Sequence, residues 1–326
     1  MNDNNSRMVY FNGEIIREKD AKLSIYDSSL MFGDMVFEMT RSFNKTHFLL
    51  DKHIERLFKS ANYLEIPITL SQIEMRKECE KLADINDKFF DTDDEHRLMI
   101  NVSRGLLSLY DGKVDVESGS NIIIADFPLK WTVAGMGKFF QSGINAVIPS
   151  QRMIPSNLLE AKVKNRSRIH YMMANIEVSK YNSSNTWALL MDDDGFVTEG
   201  TGSNFFLVKN NKVYTPEPRN LLKGISRDFL IDLAKKNGIE VIEKNIELYD
   251  LLEADEAFFT ATPFCMIPIS AINFKTICNP GEWKITNQLL SLWNNEVGID
   301  IKKQIINWNK NDVKQSSGMS TYSFKK

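Results

Sequence analysis

Val197-Thr198-Glu199-Gly200-Thr201-Gly202-Ser203-Asn204-Phe205 ends a short strand on a carboxylate and follows it with a run of small residues. Residues of that size let backbone approach a ligand closely, so Glu199 reads as a binding group rather than an ordinary acid beside a turn. Three stretches accompany it in order. Lys164-Asn165-Arg166-Ser167-Arg168 lies upstream; Leu222-Lys223-Gly224-Ile225-Ser226-Arg227 and Phe259-Thr260-Ala261-Thr262-Pro263 lie downstream. Together they offer an amine, a carboxylate, a glycine-opened helix start and a hydroxyl.

The background is plain. A chain of 326 residues has room for two domains. Its 40 Lys and Arg against 43 Asp and Glu make no field that favours nucleic acid or an anionic membrane. Cys79, Cys265 and Cys278 are odd in number and show no metal spacing, which points to reduced thiols and no metal site. No signal-like apolar segment follows Met1, and no apolar run reaches the length of a membrane span. The expectation is a cytoplasmic protein with no membrane or nucleic-acid partner.

Local patterns give an α/β chain. Met8 to Phe11 and Glu14 to Ile16 flank Asn12-Gly13, a hairpin signal. Val36 to Phe43 and His47 to Leu50 flank Asn44-Lys45-Thr46. Asp51 is expected to cap a helix with Ile54, Leu57, Phe58 and Ala61 on one face, and a second helix covers Ser71 to Ala83. Strands follow at Arg97 to Ser103 and Asn121 to Ala125, the latter with a continuous buried run, Ile122-Ile123-Ile124. Lys130 to Gly143 lacks a period and makes the domain boundary. Beyond it a strand at Ile144 to Ile148 precedes a helix, Ser167 to Tyr181, with Ile169, Met172, Met173 and Ile176 on one face. Further strands fall at Thr186 to Met191, Phe205 to Lys209 and Lys212 to Thr215. A helix covers Ser226 to Lys236, with Phe229, Leu230, Leu233 and Ala234 apolar. A strand at Ile239 to Glu243, a helix near Leu248 to Leu252 and a strand at Ala257 to Thr260 complete the pattern. The polar end, Ser316 to Lys326, is expected to be disordered.

These groups fit pyridoxal phosphate. A lysine amine joins an aldehyde cofactor as a Schiff base and then carries protons beside the substrate carbon. Lys164 is the candidate, with Lys162 its local competitor. A carboxylate such as Glu199 keeps the pyridine nitrogen protonated, which makes the ring an electron sink. Free amides at a helix start, here Ile225 and Ser226, bind phosphate. Thr262 adds a hydroxyl, and Arg56 a fork of donors matched to phosphate.

In that order the motifs resemble the fold-type IV pyridoxal-phosphate enzymes: branched-chain aminotransferases, D-amino acid aminotransferases and aminodeoxychorismate lyase. The likeness runs from Phe11-Asn12-Gly13 to Pro268. It includes Asp27 to Leu30, Phe32-Gly33-Asp34, Val36-Phe37-Glu38, His53-Ile54-Glu55-Arg56-Leu57 and Asp255-Glu256-Ala257-Phe258. It implies a small N-terminal α/β domain, residues 1–133, and a larger pseudo-barrel domain carrying the lysine, residues 134–315, with 316–326 as a tail. It further implies a homodimer, Lys164 as Schiff-base lysine and Glu199 at the pyridine nitrogen. Arg56, Ile225, Ser226 and Thr262 would form the phosphate cup, with Leu222 against the ring.

The likeness breaks at two places. Branched-chain members carry Asn-Tyr shortly after the lysine, the tyrosine contacting the ring's O3′; here Arg168 or Tyr171 is left to replace it. D-amino acid enzymes trap a carboxylate with an arginine and a histidine after an Arg-Gly pair. Here Arg104-Gly105 leads into Leu106 to Asp111, which holds no cation. Substrate selectivity is expected at Phe37, as an apolar wall, and at Arg41, placed by strand alternation on the same face. The resulting expectation is an aminotransferase acting on a small amino acid, branched-chain-like or related, and a 2-oxo acid. A lyase of the aminodeoxychorismate type and a catalytically impaired binding protein remain as alternatives.

Overall fold

The structure is a computed structural model that describes residues 6–311 apart from 116, 182 and 184; the expected tail at 316–326 lies outside them. The chain folds into two compact units, residues 1–129 with 163–168, and residues 130–162 with 169 onward. The six-residue return to the first unit carries Lys164.

The first unit holds β1 (Met8–Phe11), β2 (Glu14–Arg17), α1 (Ser28–Phe32), β3 (Met35–Met39), β4 (Ser42–Phe43), β5 (Thr46–His47), α2 (Leu50–Tyr63), α3 (Gln72–Asn86), β6 (His96–Ser103) and β7 (Asn121–Pro128). Five strands form an antiparallel sheet in the order β2-β1-β7-β6-β3, and β4 pairs with β5. The hairpins are fixed by residues that tolerate positive φ, Asn12 and Gly13 in one, Asn44 and Lys45 in the other. One face of the sheet packs its alternate residues, Val36, Leu98, Ile100, Val102, Ile122 and Ile124, against Ile54 and Leu57 of α2 and Met75, Cys79 and Leu82 of α3. Ile123 points the other way, so the expected continuous buried run is an alternating one.

Two local expectations change. Asp51 does not cap α2: the N-cap is Leu49, left-handed at φ 53°, and Asp51 sits in the first turn, hydrogen-bonded to Arg76 of α3. A carboxylate there still favours the helix through its dipole. The strand expected to run from Val36 to Phe43 stops at Met39, leaving Thr40 and Arg41 outside it. α3 is a capping-box helix, Ser71 and Glu74 each bonding the other's backbone N–H.

The second unit holds α4 (Lys130–Val133), α5 (Phe139–Ser142), β8 (Ile144–Val147), α6 (Ile169–Ser179), β9 (Thr186–Met191), β10 (Val197–Gly200), β11 (Asn204–Lys209), β12 (Lys212–Pro216), α7 (Ile225–Lys236), β13 (Val241–Lys244), α8 (Leu248–Leu252), β14 (Glu256–Ala261), β15 (Cys265–Ile272), β16 (Lys275–Thr276), α9 (Lys284–Val297) and α10 (Ile301–Asn311). The segment from Lys130 to Gly143, expected to be aperiodic, is thus largely short helices. Its sheet runs β10-β9-β8-β15-β14-β11-β12-β13, with β16 on β15. A further pairing of β10 with β11 closes six of these strands on themselves, which is the pseudo-barrel.

Glu199 and Asn204 are the pair at that closure. Gly200 makes the turn between them possible, because a Cβ there would lie 2.5 Å from Ser203 Oγ and 3.2 Å from the Phe259 ring. The acidic pair at the start of β14 is structural. Asp255 accepts from the Asn210 amide, and Glu256 accepts from the Ile285 and Thr286 amides at the start of α9.

Candidate active site

In the first unit the segment after Val163 lies along the free edge of β3. Val36 and Asn165 form a bridge, Phe37 N donates to Lys164 O at 3.0 Å, and Arg166 N donates to Met35 O at 2.9 Å. Strand alternation then decides which side chains face the core. Val163 joins the buried cluster with Val36, while Lys164 and Arg166 emerge on the opposite face with Phe37. The Lys164 amine lies 4.7 Å from the Phe37 ring centroid, and the Arg166 guanidinium 3.7 Å from it. Lys162, the competitor, is paired instead with Glu160 at 3.0 Å in the second unit.

The motif residues around Lys164 hold this edge in place. Ser60 Oγ accepts from the Lys164 amide at 3.1 Å. Gly33 ends α1 at φ 69°, and a Cβ there would meet Ser167 Oγ at 2.7 Å, so glycine lets the segment dock. Asp27 caps α1 and also accepts from Ser103 Oγ and Asn121 Nδ2.

Arg56 faces a buried acid. Its Nε and Nη2 donate to Glu38 at 2.6 and 2.8 Å, and His53 Nδ1 lies 2.7 Å from the same carboxylate. Burial alone would raise the Glu38 pKa, but the Arg56 guanidinium holds it far below the usual carboxylate range. Burial also depresses His53, so a neutral imidazole donates to an ionised Glu38 whose charge Arg56 balances. The fork of Arg56 is thereby fixed rather than left to sample rotamers.

Arg41 lies beyond the end of β3. It is fully buried, its Nε donates to Ser42 O at 3.2 Å, and its guanidinium stacks 3.8 Å from the Phe43 ring. The alternation argument that placed it beside Phe37 fails because β3 ends at Met39. The Arg168 guanidinium lies 5.6 Å from the Phe37 centroid.

In the second unit Glu199 is 4% exposed and receives three donors. Tyr171 Oη donates to Oε1 at 2.6 Å; Asn204 Nδ2 and the Leu222 amide donate to Oε2 at 3.0 and 3.2 Å. Tyr171 comes from α6, which buries a face other than the expected one. His170, Tyr171, Ala174, Asn175 and Val178 are inside, whereas Ile169 and Met173 are exposed. Asn204 also donates to Leu222 O at 2.9 Å, tying the stretch before α7 to the barrel closure. Gly224, the N-cap of α7, has an extended backbone and leaves room for that amide: a Cβ would come 2.0 Å from Asn204 Oδ1.

Ile225 and Ser226 form the first turn of α7, which presents its amides outward from the helix start. Ser226 is buried and Thr262 half-buried, in the turn between β14 and β15. Arg227 is a structural residue, fully buried and bonded to Pro216 O and Glu243. A fixed carboxylate as acceptor, with helix-start amides and a turn hydroxyl as donors, is the set of groups that suits a phosphorylated pyridine, and the second unit holds all three. Glu38, Asn101 and the Tyr171–Glu199 bond were not anticipated; for Glu38 a signal existed, a His and an Arg one turn apart on a helix.

A family profile for class IV aminotransferases (Amino-transferase class IV) matches residues 35–272. The chain is 37% identical to a putative branched-chain-amino-acid aminotransferase of Methanocaldococcus jannaschii over 285 residues, 86% of this chain and 93% of that one. It is 32% identical to an aminodeoxychorismate lyase of Bacillus subtilis over 272 residues, 81% of this chain and 86% of that one. Among solved structures it matches the Escherichia coli branched-chain aminotransferase with a TM-score of 0.78 and 26% identity, over 89% of this chain and 96% of that one. Among the described residues, no helix is long and apolar enough to cross a membrane.

Proposed function

Because this chain belongs to the class IV aminotransferases, a pyridoxal-phosphate family, we propose that it moves an amino group between a small amino acid, branched-chain-like or related, and a 2-oxo acid, using a Lys164 Schiff base. The cofactor supplies the electron sink. With the cofactor bound, Lys164 would be its Schiff-base lysine and the base that takes up and returns the proton at the substrate α-carbon. Glu199 would keep the pyridine nitrogen protonated. Arg56, the Ile225 and Ser226 amides and the Thr262 hydroxyl would hold the phosphate, and Leu222 would pack on the ring. A cytoplasmic homodimer is the assembly this reading carries.

The observation that supports it best is the register at Val36–Asn165, which turns Lys164 onto the Phe37 face while Lys162 pairs with Glu160. The test is a comparison of Lys164→Ala with Lys162→Ala. Loss of turnover and of borohydride-fixable cofactor is expected only in the first; the reverse result would move the Schiff base to Lys162.

The likeness to the Bacillus subtilis lyase favours a second reading, elimination from an aminodeoxychorismate-like substrate, since both reactions begin with the same proton removal. Assay of amino exchange with 2-oxoglutarate against pyruvate release from that substrate separates them. An impaired binding protein is the reading least supported, because the lysine, the carboxylate and the helix start are all present.

A further inference from the structure

We propose that Arg166 is a positioning residue for Lys164: together with Asn101 it pins the added edge of the first unit in register, which keeps the lysine on the Phe37 face of the sheet. The inference rests on the Lys164 Schiff-base reading and adds to it the device that fixes the lysine.

The edge has little backbone to hold it. Its ladder to β3 is the Val36–Asn165 bridge, flanked by Phe37 N donating to Lys164 O at 3.0 Å and Arg166 N donating to Met35 O at 2.9 Å. A slip of one residue along β3 would turn Lys164 to the core face. Val163, buried with Val36, opposes that slip from one end of the segment. Arg166 opposes it from the other.

Arg166 reaches past β3 to the next strand. Its Nε and Nη2 donate to Asn101 Oδ1 at 3.2 and 2.7 Å, and Asn101 stands opposite Phe37 across the β3–β6 ladder. The guanidinium also lies 3.7 Å from the Phe37 ring centroid, within cation–π range. Asn101 is buried, and two donors of a rigid planar fork meet one oxygen over a narrow range of positions. A slip would move the Arg166 backbone by about 3.3 Å and invert its side chain, breaking both bonds. When Arg166 meets Asn101, alternation therefore places Lys164 on the Phe37 face.

A strut that only steadies the fold and a residue that places Lys164 part on four measurements, made on Arg166→Ala, Arg166→Lys and Asn101→Ala. In cofactor-free protein, amide hydrogen exchange at Phe37, whose N–H bonds Lys164 O, should quicken roughly tenfold or more in Arg166→Ala. In cofactor-loaded protein, kcat with L-leucine and 2-oxoglutarate should fall roughly 10- to 100-fold while the leucine KM stays within about threefold. Borohydride should fix less cofactor to Lys164. In a Lys164→Ala background, Arg166→Ala should leave the Kd for pyridoxal phosphate within about twofold, because the effect runs through the lysine.

Arg166→Lys should recover part of kcat. Asn101→Ala should move each readout the same way by less, and it carries the test where Arg166→Ala fails to fold. Unchanged Phe37 exchange and kcat in Asn101→Ala overturn the proposal, as does a lower urea midpoint with unchanged kcat. A clear rise in cofactor Kd in the Lys164→Ala background also overturns it, since Arg166 would then act on the cofactor directly. Wild-type protein that fixes cofactor at Lys162 overturns both the proposal and the Schiff-base reading. Wild-type protein that fixes it at Lys164 but exchanges no amino group overturns the aminotransferase reading alone, and Phe37 exchange and borohydride fixation then decide the role of Arg166.

Discussion

The Tyr171 hydroxyl donates to Glu199 Oε1 at 2.6 Å, with both residues buried. It comes from a helix that buries Tyr171 while leaving Ile169 and Met173 exposed. Asn204 and Leu222 occupy the other carboxylate oxygen, so Tyr171 alone of the three fixes the carboxylate's rotation from this side. Removing a single hydrogen bond to a charged group costs about 1.5–3 kcal/mol. Tyr171→Phe is expected to lose stability on that scale in urea unfolding of the cofactor-free protein. It should also shift the pH titration of the bound cofactor's absorbance, because on the proposed reading Glu199 is the ring nitrogen's partner. An unshifted titration would reduce Tyr171 to a packing residue.

Glu38 and Arg56 form the second fixed pair. Breaking a buried ion pair from one side leaves the other charge without compensation, at a cost of about 3–5 kcal/mol. Arg56→Ala is therefore expected to destabilise the cofactor-free protein as well as weaken pyridoxal phosphate binding. In Glu38→Gln/Arg56→Gln, the summed losses of the two single variants should exceed the loss in the double variant. Strict additivity in urea unfolding would show that the two residues act separately.

Much of this was legible because local chemistry set it. The hairpin at Asn12-Gly13 follows from residues that accept positive φ, and the helix expected from Ser71 does open at that serine, its N-cap. What escaped was decided at long range. Periodicity put Ile169 and Met173 inside α6, but Tyr171 and Asn175 have partners elsewhere in the second unit, Glu199 and Thr201. Buried hydrogen bonds of that kind override an apolar stripe. Glu38, next to Phe37 in every reading, had no visible role until His53 and Arg56 met it 15 and 18 residues on. The strand expected to run through Phe43 ends four residues earlier, at Met39, so alternation along it does not reach Arg41.

Gly224 tests how tightly the Glu199 cluster is packed. A methyl group at Gly224 would come 2.0 Å from Asn204 Oδ1, and the amide cannot swing aside without releasing Leu222 O and Glu199 Oε2. Overpacking of this kind costs about 1–3 kcal/mol. Gly224→Ala should fall in that range and should weaken cofactor binding with it. A Gly224→Ala variant as stable as wild type would mean the Asn204 bonds are dispensable.

Acid should destabilise the fold before its carboxylates titrate. Burial, helped by the neighbouring His96 and His53 imidazoles, pushes His47 down to about 3, and burial depresses His53 as well. An unfolded histidine titrates near 6.5. As pH falls below that value the unfolded chain takes up protons that the folded one refuses, so each group removes up to about 1.4 kcal/mol per pH unit. His96 does not compensate. Burial opposes its charge, but Asp126 and Asp87 raise its pKa above the usual value. Its stabilisation is therefore already complete below the unfolded pKa and is lost only as pH rises. Glu38, held low, adds a loss in the same direction once unfolded glutamate protonates, near pH 4.3. Urea midpoints should fall steadily between pH 6.5 and 5, and His47→Gln should make that slope shallower. A flat profile across this range, or the same slope in His47→Gln, would show that His47 is not held neutral in the folded protein.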